Sequence, residues 1–128
     1  MTEPQIASFS DKYLPIVDLE KKKLSKVATL SGGQKRKLQL LIAIMGETKI
    51  LLLDEPSSGM DPTSRRDTWS FIQDLKKDKF IILTTHYMDE ADELGDRIAI
   101  MSKGKLKTCG SSLFLKKKYD LGTILEVS

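Results

Sequence analysis

Residues Ile50–Asp61 read ILLLDEPSSGMD, and this stretch decides the fold. The aliphatic run Ile50–Leu53 is typical of a strand that is buried on both faces inside a parallel sheet. Two acids, Asp54 and Glu55, follow this run directly. Because chemistry in open parallel sheets collects at the carboxyl ends of the strands, the sequence predicts a functional site at these two acids.

The adjacent acids favour phosphate chemistry. Neighbouring carboxylates repel each other, and removing them from water is costly unless a positive charge compensates. A Mg²⁺ ion on the phosphates of a nucleotide would supply that charge, because Mg²⁺ prefers oxygen ligands. We expect Asp54 to hold the Mg²⁺ shell, directly or through water, and Glu55 to orient and deprotonate an attacking water. The alternative is an acidic turn that caps a helix beginning near Pro62.

The composition indicates one modest folded domain. Of its 128 residues, 40% are hydrophobic and 30% are charged. No apolar run approaches the ~20 residues of a transmembrane helix, and the start shows no signal-peptide pattern. The single cysteine, Cys109, agrees with a reducing compartment. A net charge of +3 is too small to indicate nucleic acid, and the lysine clusters are expected to be solvated helix faces, with lipid head groups or a partner as the alternative.

The spacing of apolar residues predicts an α/β fold. The parallel strands are expected at Ile50–Leu53, Phe80–Leu83 and Ile98–Met101, and a last strand at Thr123–Val127. Helices are expected from Thr2 to Pro15, over Leu19–Val27, from Ser31 to Gly46, from Asp61 through Leu75, over Met88–Leu94 and over Ser111–Tyr119. A tight turn at Lys103 and Gly104 is expected to lead into Lys105–Thr108.

The start of the third helix predicts an anion site. The sequence there is LSGGQ, in which Ser31 precedes Gly32, Gly33 and Gln34. Backbone N–H groups at a helix start and the helix dipole both attract phosphate oxygens. An ordinary serine cap with a glycine turn is the alternative. The apolar face of this helix is expected at Leu38, Leu41, Ile42 and Met45.

A histidine follows the second strand. His86 comes just after Phe80–Leu83, as Glu55 comes just after Ile50–Leu53. If the two strands are neighbours, both side chains reach one crevice. An imidazole there can donate to a terminal phosphate, so we expect His86 to sense the nucleotide. A purely structural histidine is the alternative.

Together these motifs resemble the nucleotide-binding domain of an ABC transporter. Leu30–Gln34 is similar to the signature loop, Ile50–Glu55 to the Walker B strand, Ser57–Asp61 to the D-loop, and His86 to the switch histidine. The strings KRKL, SGMDPTSRR, THYMDEADELGDRIAIMSKGKL and CGSSLFLKKKY resemble the A subfamily, whose members mostly move lipids. The resemblance runs from about Val17 to Val127, and departs from the subfamily at Asp120 and near Thr123.

The sequence lacks a phosphate loop of the pattern G-x-x-x-x-G-K-[ST]. The resemblance therefore implies a partial P-loop NTPase-like fold, corresponding to roughly the C-terminal half of the ATPase domain. Residues 1–30 would be the end of the helical subdomain, and residues 31–128 the C-terminal part of the ATPase core.

The resemblance also implies roles and partners. Two such domains would sandwich two ATP molecules with Mg²⁺, next to the transmembrane domains of a transporter and without nucleic acid. The residues expected to serve the partner's nucleotide are Ser31, Gly32, Gly33 and Gln34. Those expected to serve the chain's own site are Asp54, through Mg²⁺, and the catalytic Glu55 and His86. Ser58 and Asp61 are expected to join the two sites.

The implied function is ATP hydrolysis that drives lipid transport, at the cytoplasmic face of a membrane. The chain alone is expected to be soluble and nearly inactive, because the phosphate cradle is missing. One alternative is a non-catalytic module that pairs with an intact nucleotide-binding domain. Another is a soluble ABC protein that acts on ribosomes or DNA, against which the strings SGMDP and THYMDEAD argue.

Overall fold

The computed structural model describes residues 2–46 and 48–119. The helices are α1 (Glu3–Tyr13), α2 (Gly32–Ile44), α3 (Pro62–Leu75), α4 (Met88–Leu94) and α5 (Ser112–Lys118), and two 3₁₀ turns cover Glu20–Lys22 and Val27–Thr29. The strands are β1 (Ile50–Asp54), β2 (Phe80–Thr84), β3 (Ile98–Ser102) and β4 (Lys105–Gly110). The chain divides into two compact units between His86 and Tyr87. The predicted α/β class is confirmed.

Strands β1 and β2 form a parallel pair in which Ile50 lies opposite Phe80 and Asp54 opposite Thr84. This pairing confirms that the first two predicted strands are neighbours. The expectation that β1 is buried on both faces is wrong, because Leu51 and Leu53 are buried while Leu52 is 73% exposed. Side chains alternate across a strand, and the described residues cover one face of this sheet.

The exposed face of the β1–β2 sheet is apolar. Its side chains are Ile50, Leu52, Phe80 and Ile82. The register places Ile50 beside Phe80 and Leu52 beside Ile82, so the four form a continuous patch. Contiguous exposed apolar surface of this kind usually marks a contact face.

Helix α2 begins where the sequence predicts and buries a different face. The buried positions are Lys37, Leu40, Leu41 and Ile44, whereas Ile42 is exposed. Of the expected apolar face, only Leu41 is fully buried. The buried face is therefore shifted by about one residue from the predicted one. Apolar spacing did not identify it, because one of its positions is a lysine.

Helix α3 matches its prediction closely. Asp61 caps it, Pro62 occupies its first turn, and the stripe Thr68, Phe71, Ile72 and Leu75 is buried. These side chains belong to the core of the first unit, together with Val17, Leu19, Leu30, Leu40, Leu41, Ile44, Leu51, Leu53 and Met60.

The segment before α2 is less regular than expected. Helix α1 ends at Tyr13, as predicted from Pro15, and the Tyr13 ring packs edge-on against Phe71 at 6.3 Å between centroids. The amphipathic helix predicted over Leu19–Val27 is wrong, since the structure has two short 3₁₀ turns there and Leu24 is fully exposed. A short helix needs a packed apolar face, and this segment buries Leu19 at its start.

In the second unit, β3 pairs antiparallel with β4. The strand predicted at Ile98–Met101 is present, and its antiparallel neighbour β4 is the segment expected after the tight turn. Lys103 and Gly104 both have positive φ, which matches the tight turn expected there and returns the chain beside β3. Helices α4 and α5 agree with prediction, and the strand predicted over Thr123–Val127 lies outside the described residues.

Within residues 2–46 and 48–119, no helix is both long enough and apolar enough to cross a bilayer.

Ile72 provides a test of the core of the first unit. It is 1% exposed, so Ile72→Ala removes buried methyl groups and leaves a cavity. We expect it to lower the free energy of unfolding by about 2–5 kcal/mol, measured by urea denaturation. The matched control is Ile42→Ala on the exposed face of α2, where we expect a change within about 0.5 kcal/mol. Equal losses at the two positions would contradict the described core.

Candidate nucleotide site at the strand ends

The acid pair begins where β1 ends. Asp54 is the last residue of β1, and the Glu55 backbone N–H still donates to the carbonyl of Thr84 at 2.9 Å. Glu55 then adopts a left-handed conformation, with φ of 46°. This backbone region costs a residue with a side chain about 1–2 kcal/mol, and such residues concentrate at functional sites. The strand ends at this left-handed residue.

Glu55 and His86 lie in hydrogen-bonding contact. His86 Nδ1 is 2.9 Å from Glu55 Oε1, and the side chains are 55% and 43% exposed. The prediction that both side chains reach one crevice is confirmed. The cause is the parallel register, which ends β1 and β2 at the same level. When Nδ1 carries a proton it donates to the carboxylate, and a protonated imidazole also offers Nε2–H to a further acceptor.

Asp54 has a partner that the sequence analysis did not identify. The Thr84 hydroxyl donates to Asp54 Oδ1, and the two residues are directly opposite in the β1–β2 register. The sequence contained a signal for this contact. Thr84 follows the second aliphatic run as Asp54 follows the first, so parallel pairing of the two runs brings them together. The bond fixes the orientation of a carboxylate that is otherwise exposed to solvent.

Asp54 fits a magnesium site of the kind that phosphates complete. The described residues contain no group of three or more His, Cys, Asp or Glu side chains that could hold a metal by itself. Mg²⁺ normally keeps several waters and takes one or two carboxylates together with substrate phosphates. One oriented carboxylate beside a second acid meets that requirement.

The predicted anion site at α2 is a formed helix cap. Ser31 Oγ accepts from the Gln34 backbone N–H at 3.2 Å, and Gln34 Oε1 accepts from the Ser31 backbone N–H at 3.0 Å. This reciprocal capping box fixes both side chains. It leaves the amides of Gly32 and Gly33 at the positive end of the helix dipole, since neither is a partner in the box. The two capping-box bonds do not involve Glu55 or His86.

Ser57–Asp61 forms a turn between the acids and α3. The Ser58 backbone N–H donates to the Glu55 carbonyl at 3.1 Å, and Gly59 has φ of 74°. Asp61 Oδ2 accepts from the Ser64 backbone N–H at 3.0 Å, so Asp61 is the cap of α3. The backbone hydrogen bond from Ser64, with its hydroxyl next in importance, holds the pKa of Asp61 below its ordinary value of 3.8.

A cavity of about 220 Å³ lies between α2 and the end of β1. Its lining residues are Arg36, Gln39, Leu40, Ala43, Leu52, Leu53, Asp54 and Pro56. The lining is mostly apolar and includes a cation, Arg36, and an acid, Asp54. Asp54, the residue predicted to hold Mg²⁺, therefore lies at this cavity.

Comparisons with known proteins agree with these motifs. The family model described as ABC transporter matches residues 3–58. ABC transporter A family member 5 of Dictyostelium discoideum is 58% identical over 124 residues, which are 97% of this chain and 8% of that protein. The human phospholipid-transporting ATPase ABCA3 is 59% identical over 111 residues, 87% of this chain and 6% of that protein. The chain thus spans less than a tenth of these relatives.

A solved structure has the same fold. It is described as the ATP-binding subunit of an ABC transporter, and it superposes with a TM-score of 0.78 at 25% identity. The match covers 94% of this chain and 51% of the solved chain.

The cap of α3 gives a testable pH dependence. Because the folded pKa of Asp61 is lowered, its carboxylate stabilises the fold fully above pH 3.8, and this contribution is lost as the pH falls through the lower folded value. We expect Asp61→Ala to lower the urea midpoint at pH 7. Asp61→Asn should have a midpoint close to that of the wild type, because asparagine can also cap a helix. Circular dichroism between pH 7 and pH 3 should show that acidification lowers the stability of Asp61→Asn less than that of the wild type. An equal loss of stability in both proteins would show that the Asp61 carboxylate does not cause this pH dependence.

Proposed function

Because the chain belongs to the ABC transporter family, we propose that it contributes the hydrolytic acid, the switch histidine and the signature cap of an ATP-hydrolysing domain. The observation that carries this proposal is the 2.9 Å contact between Glu55 and His86 at the ends of adjacent parallel strands. That contact supports a base and a proton donor that act on one bound group. Phosphoryl transfer to water requires this kind of positioning more than covalent chemistry.

In the proposed site Glu55 is the general base. Its carboxylate is 43% exposed, so a water can reach it, and its left-handed backbone holds it beyond the end of the strand. His86 shares a hydrogen bond with Glu55 and can present its second ring nitrogen to a terminal phosphate. The imidazole then orients the carboxylate and stabilises negative charge on the phosphate oxygens.

Asp54 would hold the Mg²⁺ that accompanies ATP. The Thr84 hydroxyl occupies Oδ1, which leaves Oδ2 for the ion or for one of its waters. The bound ion would neutralise charge on the phosphates. The Asp54 carboxylate has to be held in a fixed orientation toward the ion. The strand register and the hydrogen bond from Thr84 both hold it.

The second half of the proposal concerns a partner domain. Ser31, Gly32, Gly33 and Gln34 form a helix cap at the start of α2, and the amides that the capping box does not use suit phosphate oxygens. We infer that this cap serves a nucleotide held by a second nucleotide-binding domain. Ser58 and Asp61, on the turn between the acids and α3, would lie at the junction of the two sites.

The exposed face of the β1–β2 sheet supports a further part of the proposal. Ile50, Leu52, Phe80 and Ile82 present apolar side chains to solvent, and the sequence has no phosphate loop. We infer that a segment bearing such a loop covers this face in the working domain. The parent protein would then couple ATP hydrolysis to transport through transmembrane domains at a membrane. The human relative named a phospholipid-transporting ATPase makes lipid the favoured cargo.

The chain by itself should be a poor ATPase. A phosphate cradle and its lysine are absent from the sequence, and charge stabilisation is the main source of catalysis in this chemistry. We expect titration with labelled MgATP to give a dissociation constant weaker than about 100 μM, which is a binding free energy of less than about 5.5 kcal/mol, with negligible phosphate release. Micromolar affinity together with turnover would contradict this expectation.

Glu55 should be essential when the chain is part of a polypeptide that carries a phosphate loop. Glu55→Gln keeps the side-chain shape and removes the base, so we expect hydrolysis to fall by about 10²–10⁴-fold while ATP stays bound. The measurement is phosphate release together with nucleotide retention after gel filtration. Glu20→Gln, at an exposed acid in a 3₁₀ turn, is the control and should hydrolyse ATP normally. Ordinary turnover in Glu55→Gln would remove Glu55 from the role of base.

A further inference from the structure

Lys37 is a buried lysine in a helix whose other buried positions are apolar. It lies on α2, one turn beyond the cap formed by Ser31 and Gln34, and its side chain is 8% exposed. Burying an ammonium group is costly unless an opposite charge or hydrogen bonds compensate. Its neighbour Lys35 is exposed on the same helix, so burial is a property of this position and not of the lysine-rich segment.

The ammonium group of Lys37 faces α3. Its Nζ lies 3.8 Å from Asp67 Oδ2, and the Asp67 side chain is 53% exposed. Asp67 is on the first half of α3, the helix that Asp61 caps. The ion pair therefore joins the helix that starts at the signature cap to the helix that starts at the Ser57–Asp61 turn.

Met60 makes a second connection between the same two elements. Its side chain is buried, and a Cβ placed on Gly33 would lie in van der Waals contact with Met60 Cγ at 3.9 Å. The Thr68 hydroxyl lies 3.3 Å from Met60 Sδ and donates to the Ser64 carbonyl at 2.9 Å. Met60 is thus held between the start of α2 and the first half of α3.

We propose that Lys37 is a positioning residue that keeps the signature cap, Ser31–Gln34, and the turn Ser57–Asp61 in one fixed arrangement. The buried ammonium aligns α2 with α3 through Asp67, and Met60 fills the contact at Gly33. Both elements then meet a second nucleotide-binding domain as one surface. This inference rests on the proposed function, in which the two elements act on shared nucleotides.

The physical chemistry favours alignment over stability as the role of this pair. A buried ion pair contributes little net stability, because the cost of removing the charges from water offsets their attraction. An apolar residue at position 37 would pack with the buried neighbours Leu40 and Leu41 without that cost. Asp67 remains half exposed, so its attraction is also weakened by solvent. What a single charged partner does supply is a preferred relative placement of the two helices.

The chain itself can test the alignment by amide hydrogen exchange. We expect Lys37→Met to speed exchange of the hydrogen-bonded amides of Ser31 and Gln34 and of those of Ser58 and Met60 together, by about 10-fold or more, since both segments lose one restraint. Asp67→Asn, at a half-exposed position that tolerates substitution, should act in the same direction. Lys37→Arg should restore slow exchange in both segments, and Lys35→Met is the matched control and should change neither. Unchanged exchange, or a change confined to one segment, would overturn the proposal.

A second measurement uses a complete domain that includes a phosphate loop. We expect Lys37→Met to lower kcat by about 10–100-fold while KM for ATP stays within about twofold, because misplacement affects the reacting arrangement more than ATP binding. Lys37→Arg should recover most of kcat. If Glu55→Gln abolishes hydrolysis and Lys37→Met leaves kcat unchanged, the positioning role is wrong and the proposed function stands. If Glu55→Gln hydrolyses ATP normally, the proposed function fails, and the exchange experiment decides the alignment separately.

Discussion

The parallel pairing of β1 with β2 is the constraint on which the site depends. It sets Asp54 opposite Thr84, so both strands end at the same level. Glu55 and His86, which follow these strand ends, therefore meet just beyond them. An exposed Glu–His pair contributes about 0–1 kcal/mol, which is no more than the left-handed backbone of Glu55 costs. The pair is therefore held in place by strand register, and a slip by one residue would separate it.

Much of this arrangement could be predicted from the residues that have strong local rules. Ser31 and Asp61 are helix caps, Pro62 fits a first turn, and an aliphatic run followed by acids marks a strand end. The contact between Glu55 and His86 followed from two such strand ends and one assumption, that the strands are neighbours. The structure supplies that assumption, and the family comparisons support the motifs.

The incorrect predictions share a physical cause. Burial of β1 on both faces, the apolar face of α2 and the helix predicted over Leu19–Val27 all depend on what packs against an element. Apolar spacing records that a surface is suited to burial, and it does not record which neighbour covers it. Leu52 and Ile42 are exposed here for that reason, while Lys37 is buried against a helix distant in sequence.

Two different elements position the proposed reactive groups and the proposed phosphate-binding cap within the first unit. The acid and the histidine depend on the sheet, whereas the signature cap depends on the start of α2. The two groups keep one relative placement only if something fixes α2 relative to the turn that follows Glu55. Met60 and the Lys37–Asp67 pair occupy that position. Because packed interiors transmit displacement with little compliance, a shift at one group would then be felt at the other.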